Sequence, residues 1–218
     1  MVKALIFDMG GVLVWDLWEH LFLDEDGIAS LFGLSKKDAR KVGEDLWEQF
    51  AYRSAEGKHW QELEREYWEL VIRTLHLPVD ADNLIELSQK FIRPISGMGS
   101  LVQALNSQGI ELGICSNNTE FWFERQMDAL KLRRFFTPSK IILSCRIGSA
   151  KKSDDLEMFR AVGQALTADL SECLLVDDRP ENVEKALKCR MTGVLFPSHK
   201  AYGSEYLYGL LAQIGILR

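Results

Sequence analysis

The chain has little cysteine and no pairing pattern for it. Cys115, Cys145, Cys173 and Cys189 are widely and irregularly spaced among 218 residues, with no C-x-x-C pair. Three of the four lie in or beside apolar stretches, so they read as reduced small hydrophobes, which points to a reducing compartment and a cytoplasmic protein. The four histidines never stand at i, i+4, so no zinc-binding helix pattern is present. Apolar runs such as residues 9–15 fall far short of the roughly 18 residues that a membrane span needs. The opening Met-Val-Lys-Ala-Leu-Ile-Phe-Asp has too short an apolar stretch to read as a secretory leader. Positive charge is also in deficit, with 26 Lys and Arg against 32 Asp and Glu and a net charge of −6. That balance argues against nucleic acid or an anionic membrane as partner. Internal repeats and low-complexity segments are missing too.

What remains is the composition of an ordinary globular protein, 47% hydrophobic and 27% charged. At about one and a half times the usual domain length, it suggests one domain with a large insertion, or two small ones. Ala4-Leu5-Ile6-Phe7 is a short continuous apolar run, the mark of a strand buried on both faces. From Asp16 to Arg93 the period turns helical. Val42, Leu46, Trp47 and Phe50 share one face, as do Trp60, Leu63, Tyr67, Val71 and Leu75, then Leu84, Leu87 and Phe91. After Pro94, strands and helices alternate. Strands are expected at 110–115, 141–143, 173–176 and 194–196, and helices at 98–107, 120–130, 154–166 and from Pro180. The fold class is therefore α/β, a Rossmann-like doubly wound parallel sheet formed by residues 1–15 and 94–218. Residues 16–93 form an inserted all-helical domain.

In open α/β sheets, ligands bind beyond the carboxyl ends of the strands. The first strand ends in Asp8, followed by the Gly10-Gly11 turn. The second ends in Ser116-Asn117-Asn118, the third leads through Gly148 to Lys151-Lys152, and the fourth ends in Asp177-Asp178. Clustered carboxylates repel one another unless a hard divalent cation such as Mg²⁺ neutralises them. A lysine and a hydroxyl at adjacent strand ends then suit the oxygens of a phosphoryl group. An aspartate in that position can attack phosphorus and form an aspartyl phosphate.

These residues, in this order, resemble the motifs of the haloacid dehalogenase superfamily, in the branch with a helical cap inserted after the first motif. Ile6-Phe7-Asp8-Met9-Gly10-Gly11-Val12-Leu13 resembles its first motif, and Ile114-Cys115-Ser116-Asn117 its second. Lys151 resembles the motif-three lysine, and Leu174-Leu175-Val176-Asp177-Asp178-Arg179-Pro180-Glu181-Asn182 the acidic fourth motif. The resemblance implies that Asp8 is the nucleophile and a Mg²⁺ ligand and that Gly10 offers its backbone carbonyl to the metal. It makes Asp178 a direct metal ligand and Asp177 an outer one. Ser116, Asn117 and Lys151 would hold the phosphoryl group of a small phosphorylated metabolite. Lys152 competes with Lys151 for its role, and the spacing from Gly148 favours Lys151.

One position departs from the family pattern. Most phosphatases of the superfamily carry a second Asp, the general acid and base, two residues after the nucleophile, where this chain has Gly10. A missing general acid costs about 10²- to 10⁴-fold. Three readings follow. The first is a phosphatase, closest to a sugar-phosphatase-like Asp-x-Gly subgroup, that uses good leaving groups or borrows an acid from Asp16, Glu19 or His20. The second is a 2-haloacid dehalogenase, which needs no metal and no leaving-group proton. The third is a catalytically retired fold that binds a ligand or a protein. Trp15, Trp18, Trp47, Trp60 and Trp68 are expected to build the core of the helical insertion, with one or two facing the site. Tyr202, Tyr206, Leu207, Leu210, Leu211 and Ile214 have the spacing of a C-terminal helix, which leaves monomer and homodimer both open.

Overall fold

The structure, a computed structural model, describes residues 2–53, 57–197 and 202–217. Residues 1, 54–56, 198–201 and 218 belong to the divisions expected above and lie outside the described residues.

The chain enters through β1 (Ala4–Phe7) and then runs through a purely helical stretch before strands and helices begin to alternate. The helices of that stretch are α1 (Leu17–Leu23), α2 (Ile28–Leu31), α3 (Lys36–Ala51), α4 (Trp60–Leu75) and α5 (Ala81–Lys90). The alternating part follows as α6 (Met98–Ser107), β2 (Glu111–Ser116), α7 (Glu120–Leu130), β3 (Ile141–Leu143), α8 (Ser144–Ile147) and α9 (Glu157–Ala165). It ends with β4 (Cys173–Asp177), α10 (Pro180–Lys188), β5 (Thr192–Leu195) and α11 (Ser204–Gln213). The strands form one parallel sheet in the order β3-β2-β1-β4-β5.

Side-chain alternation explains the doubly wound form. Leu5, Phe7, Leu174 and Val176 face one layer, with α6, α7 and α11 packed over them. Ala4, Ile6, Cys173 and Leu175 face the other, under α9 and α10. β1 lies in the middle, where Phe7 pairs with both Ile114 and Val176. Asp8, Cys115 and Asp177 consequently reach the carboxyl edge at the same level.

The α1–α5 segment builds a separate apolar cluster around Phe22, Phe50, Tyr67, Trp68 and Phe91, and α7 contributes Phe121 and Trp122 to it. The outgoing and returning connections pair at a narrow neck. Trp15 N donates to Arg93 O (2.9 Å) and Ile95 N to Leu13 O (3.0 Å), beside an antiparallel bridge between Val14 and Pro94. Ser144 Oγ donates to Ala51 O (2.6 Å), and Arg125 pairs with the buried Glu64 (2.9 Å), so the helical segment is also fastened to the sheet side.

Several expectations need correction. The second strand is 111–116 rather than 110–115, and the last is 192–195 rather than 194–196. The helix expected from residue 154 begins at Glu157, because residues 149–156 turn tightly. Ser149 Oγ and Glu157 N both donate to Asp155, and Leu156 takes a left-handed φ of 57°. The short α8 has no sequence period of its own. Ser144 anchors it by accepting from Asn118 N (2.9 Å) as well as donating to Ala51. α11 starts at Ser204, which leaves Tyr202 outside it. Trp15 packs against the sheet-side cluster, not the helical one.

Candidate active site

β1 delivers Asp8 to the sheet edge, where its N–H still donates to Val176 O (3.0 Å). The chain then turns back on itself, with Leu13 N donating to Met9 O (2.9 Å) and Gly11 N to Val14 O (2.7 Å). Met9 N donates to Asp8 Oδ1 (2.7 Å) and fixes the carboxylate. Gly11 has a φ of +75°, and a Cβ there would overlap the Asp178 carboxylate. Glycine at 11 therefore lets the first and fourth strand ends approach each other. Gly10 is different. Its added Cβ would meet nothing nearer than Asp16 Cα at 4.0 Å, so a side chain has room there.

Lys151 lies between two of the acids. Its Nζ is 2.5 Å from Asp8 Oδ2 and 2.5 Å from Asp177 Oδ2, and the residue is only 1% exposed. Its own N–H donates to Asn117 Oδ1 (2.9 Å), so the loop after β2 holds the loop after β3. Lys152 lies outside the acid cluster, at the cleft rim, where its exposed side chain pairs with Glu48 on α3 (2.9 Å). Asp177 accepts from Arg179 N (3.0 Å) and Asn182 Nδ2 (2.9 Å) and lies beneath Asp178, which faces the cleft. Ser116 is the buried last residue of β2; it is not part of the cleft lining.

One oxygen each from Asp8, Asp177 and Asp178 falls within 4.8 Å of the others. Burial is the main force that raises the Asp8 carboxyl to about 7; Lys151 opposes it, and Asp177 and Asp178 add to it. Burial, then Asp177, raises Asp178 to about 6. Burial disfavours the charged form of Lys151, but Asp177 and Asp8 outweigh it and hold the ammonium above its usual range. Three carboxylates outnumber the one ammonium buried among them, and the Arg179 guanidinium at the cleft edge offsets only part of the excess. The donors are all oxygen, so the residues fit a hard divalent cation such as Mg²⁺.

The cleft over these groups holds about 120 Å³. Its floor is Asp8, Gly10, Asn117, Lys151 and Asp178; its wall is Asp16, Trp18, Trp47, Glu48 and Tyr52 from the helical segment, with Arg179 and Asn182 opposite. Burial raises the Asp16 carboxyl to about 6, against the pull of Arg179 at 3.9 Å. Glu19 turns to Arg40 (3.6 Å) and His20 to Asp24 (2.9 Å), away from the cleft lining. Sequence reasoning gave no role to Arg179, Asn182, Glu48 or Tyr52. The first two carry a legible signal, since Pro180 marks the start of a helix directly after the Asp177-Asp178 strand end and places Arg179 and Asn182 at its first turn.

Comparison with known proteins identifies the family and the fold. A family model of haloacid dehalogenase-like hydrolases matches residues 2–189. The chloroplast flavin mononucleotide hydrolase 1 of Arabidopsis thaliana is 30% identical over 137 residues, 63% of this chain. That match spans about half of the relative, 52% of its length. In fold the chain is similar to a haloacid dehalogenase family enzyme of Bacteroides thetaiotaomicron, in complex with magnesium and inorganic phosphate, at TM-score 0.64 and 16% identity. That comparison covers 95% of this chain and 100% of the other. It is also similar to L-2-haloacid dehalogenase of Xanthobacter autotrophicus with chloropropionic acid covalently bound, at TM-score 0.60 and 17% identity over 100% and 85% of the two chains. With the match running from the first strand past the fourth strand end, the chain belongs to the haloacid dehalogenase-like hydrolases.

Proposed function

We propose that this hydrolase is a Mg²⁺-dependent phosphatase of small phosphate monoesters, working through an aspartyl phosphate on Asp8. The observation that carries the reading is the crowding of Asp8, Asp177 and Asp178 around a single buried ammonium, which suits a divalent cation and a phosphoryl group together. Asp8, Asp178 and the Gly10 carbonyl would hold the cation, with Asp177 behind them. When bound, the cation offsets charge on the phosphoryl oxygens. Lys151 keeps the Asp8 carboxylate oriented and, with the Asn117 loop, receives the phosphoryl oxygens; Ser116, expected to share that role, is buried and does not line the cleft. Asp8 attacks phosphorus, the ester oxygen departs, and water then cleaves the acyl phosphate. Residues 16–93 serve as the cap over a core of 1–15 and 94–218.

Trp18, Trp47 and Tyr52 on the cleft wall favour an organic part with a flat ring or sugar face. Flavin mononucleotide, named by the Arabidopsis relative, therefore belongs in the substrate panel beside sugar phosphates. The working partner is a small phosphorylated metabolite, with no nucleic acid and no membrane. No helix among the described residues is long and apolar enough to cross a bilayer. The test is phosphate release across that panel with and without Mg²⁺. Turnover should need the metal, stop with EDTA, and vanish in Asp8→Asn while the fold remains. A second reading is favoured by Gly10 and by the fold match to L-2-haloacid dehalogenase: metal-independent halide release from 2-chloropropionate would establish it instead.

A further inference from the structure

Gly10 stands two residues after the nucleophile without a side chain that could carry a proton, and the structure shows what borders the open space beside it. The nearest heavy atom to a Cβ on residue 10 is Asp16 Cα, at 4.0 Å. Both residues line the main cleft, and both line the narrow recess beside it, together with Trp18, Trp47 and Asn117. Asp16 is the N-cap residue of α1, a position where an aspartate ordinarily accepts from the first-turn N–H groups. Here its side chain makes no capping hydrogen bond. The carboxylate is instead turned across the cleft toward Arg179, at 3.9 Å, and the side chain is only 22% exposed. Of the three acids and bases near the neck, Asp16 alone lines the cleft.

We propose that Asp16 is the general acid and base of the reaction, acting from the helical segment across the space above Gly10. This rests on the phosphatase reading. As an Asp8 oxygen bonds to phosphorus, the bond to the ester oxygen breaks and its electron pair stays on that oxygen. The oxygen takes the proton of the Asp16 carboxyl and leaves as an alcohol. In the second half a water attacks phosphorus and gives its proton to the Asp16 carboxylate. The phosphorus–Asp8 bond breaks, and inorganic phosphate departs with both side chains restored. Because Asp16 comes from α1 and Asp8 from β1, the acid is in place only when the helical segment lies against the sheet edge.

The test is a series of phosphate monoesters running from p-nitrophenyl phosphate to simple alkyl phosphates, assayed with saturating Mg²⁺. The enzymes compared are wild type, Asp16→Asn, Gly10→Asp and the double variant. The Asp16 side chain makes no capping hydrogen bond that the substitution could remove, so melting curves of Asp16→Asn should match those of wild type. In wild type, kcat/KM should depend weakly on leaving-group pKa. In Asp16→Asn the dependence should steepen, with a loss of about 10²- to 10⁴-fold on alkyl phosphates. With p-nitrophenyl phosphate the same variant should release a burst of one nitrophenolate per site before slow turnover, because the missing base delays hydrolysis of the aspartyl phosphate. Gly10→Asp should restore the shallow dependence in the Asp16→Asn background. A loss equal for every substrate, with no burst, would mean that Asp16 merely positions Arg179 and would overturn the assignment. So would a steep dependence in wild type. If wild type shows no metal-dependent phosphate release on any ester, the phosphatase reading falls and takes this assignment with it.

Discussion

Lys151 and Lys152 are adjacent in the chain, yet their environments differ completely. Lys151 Nζ is buried between Asp8 and Asp177, while Lys152 reaches outward to Glu48 in a pair that is half exposed on both sides. Replacing Lys151 by Met should leave two buried carboxylates facing each other with no cation. Removing one partner of a buried ion pair costs about 3–5 kcal/mol, and turnover should be lost as well. Lys152→Met removes a surface ion pair worth at most about 1 kcal/mol, and it should keep the melting temperature within a degree or two. Thermal unfolding of the two variants side by side checks both outcomes. The chain itself leaves the two lysines competing, because a spacing from Gly148 says how far a residue is from a turn and not which way it faces. The direction comes from Asn117 Oδ1, which holds the Lys151 N–H from a different strand end.

At the scale of elements, the helical segment does two separable jobs with the same residue type. Trp68 on α4 is fully buried beside Phe22 and Tyr67, with ring centroids 6.4 Å and 4.9 Å away. Trp47 on α3 instead lines the cleft. Trp68→Ala should therefore lower stability by about 3–5 kcal/mol, seen as a reduced denaturant midpoint. Trp47→Ala should cost far less stability and should raise KM selectively for esters that carry a ring. The helical period of 16–93 marks which faces of α3 and α4 are apolar, and these are the faces found packed together. It cannot say which tryptophan looks into the site, because that depends on how α3 lies across the sheet edge. Nor does the period reveal α8, whose four residues are held by Ser144 between Asn118 and Ala51.

For the molecule as a whole, the burial of Asp8 and Asp178 sets a pH dependence of stability with an unusual sign. Both carboxyls titrate higher in the folded protein, near about 7 and 6, than the ordinary value of 3.8. Between pH 4 and 7 the native state thus holds more protons than the unfolded chain, so stability falls as pH rises. The metal-free protein should melt highest at the acid end of that range and lose several degrees by pH 8. A divalent cation binds the ionised carboxylates of the native state only, so added Mg²⁺ should raise the melting temperature most at neutral and alkaline pH and flatten the profile. Scanning calorimetry from pH 5 to 8, with EDTA and with Mg²⁺, reads both effects. A melting temperature that climbs with pH in EDTA would contradict this account of the site.

The amino-acid sequence by itself determined the sheet and its functional edge. Short apolar runs that each end in a polar residue leave little choice but buried parallel strands, and the ends of parallel strands must lie along one edge. Asp8, Ser116 and Asp177-Asp178 could therefore be placed together before any coordinate was known. Tertiary structure decided what strand order and packing alone control. It set Lys151 between Asp8 and Asp177, laid the Asp178 carboxylate against Gly11, and swung Asp16 from the first helix over the open space at Gly10. The first two contacts join residues far apart in the chain and depend on how the loops after β1, β3 and β4 meet at the sheet edge; the third depends on how α1 leaves the neck, which no local period of side chains records.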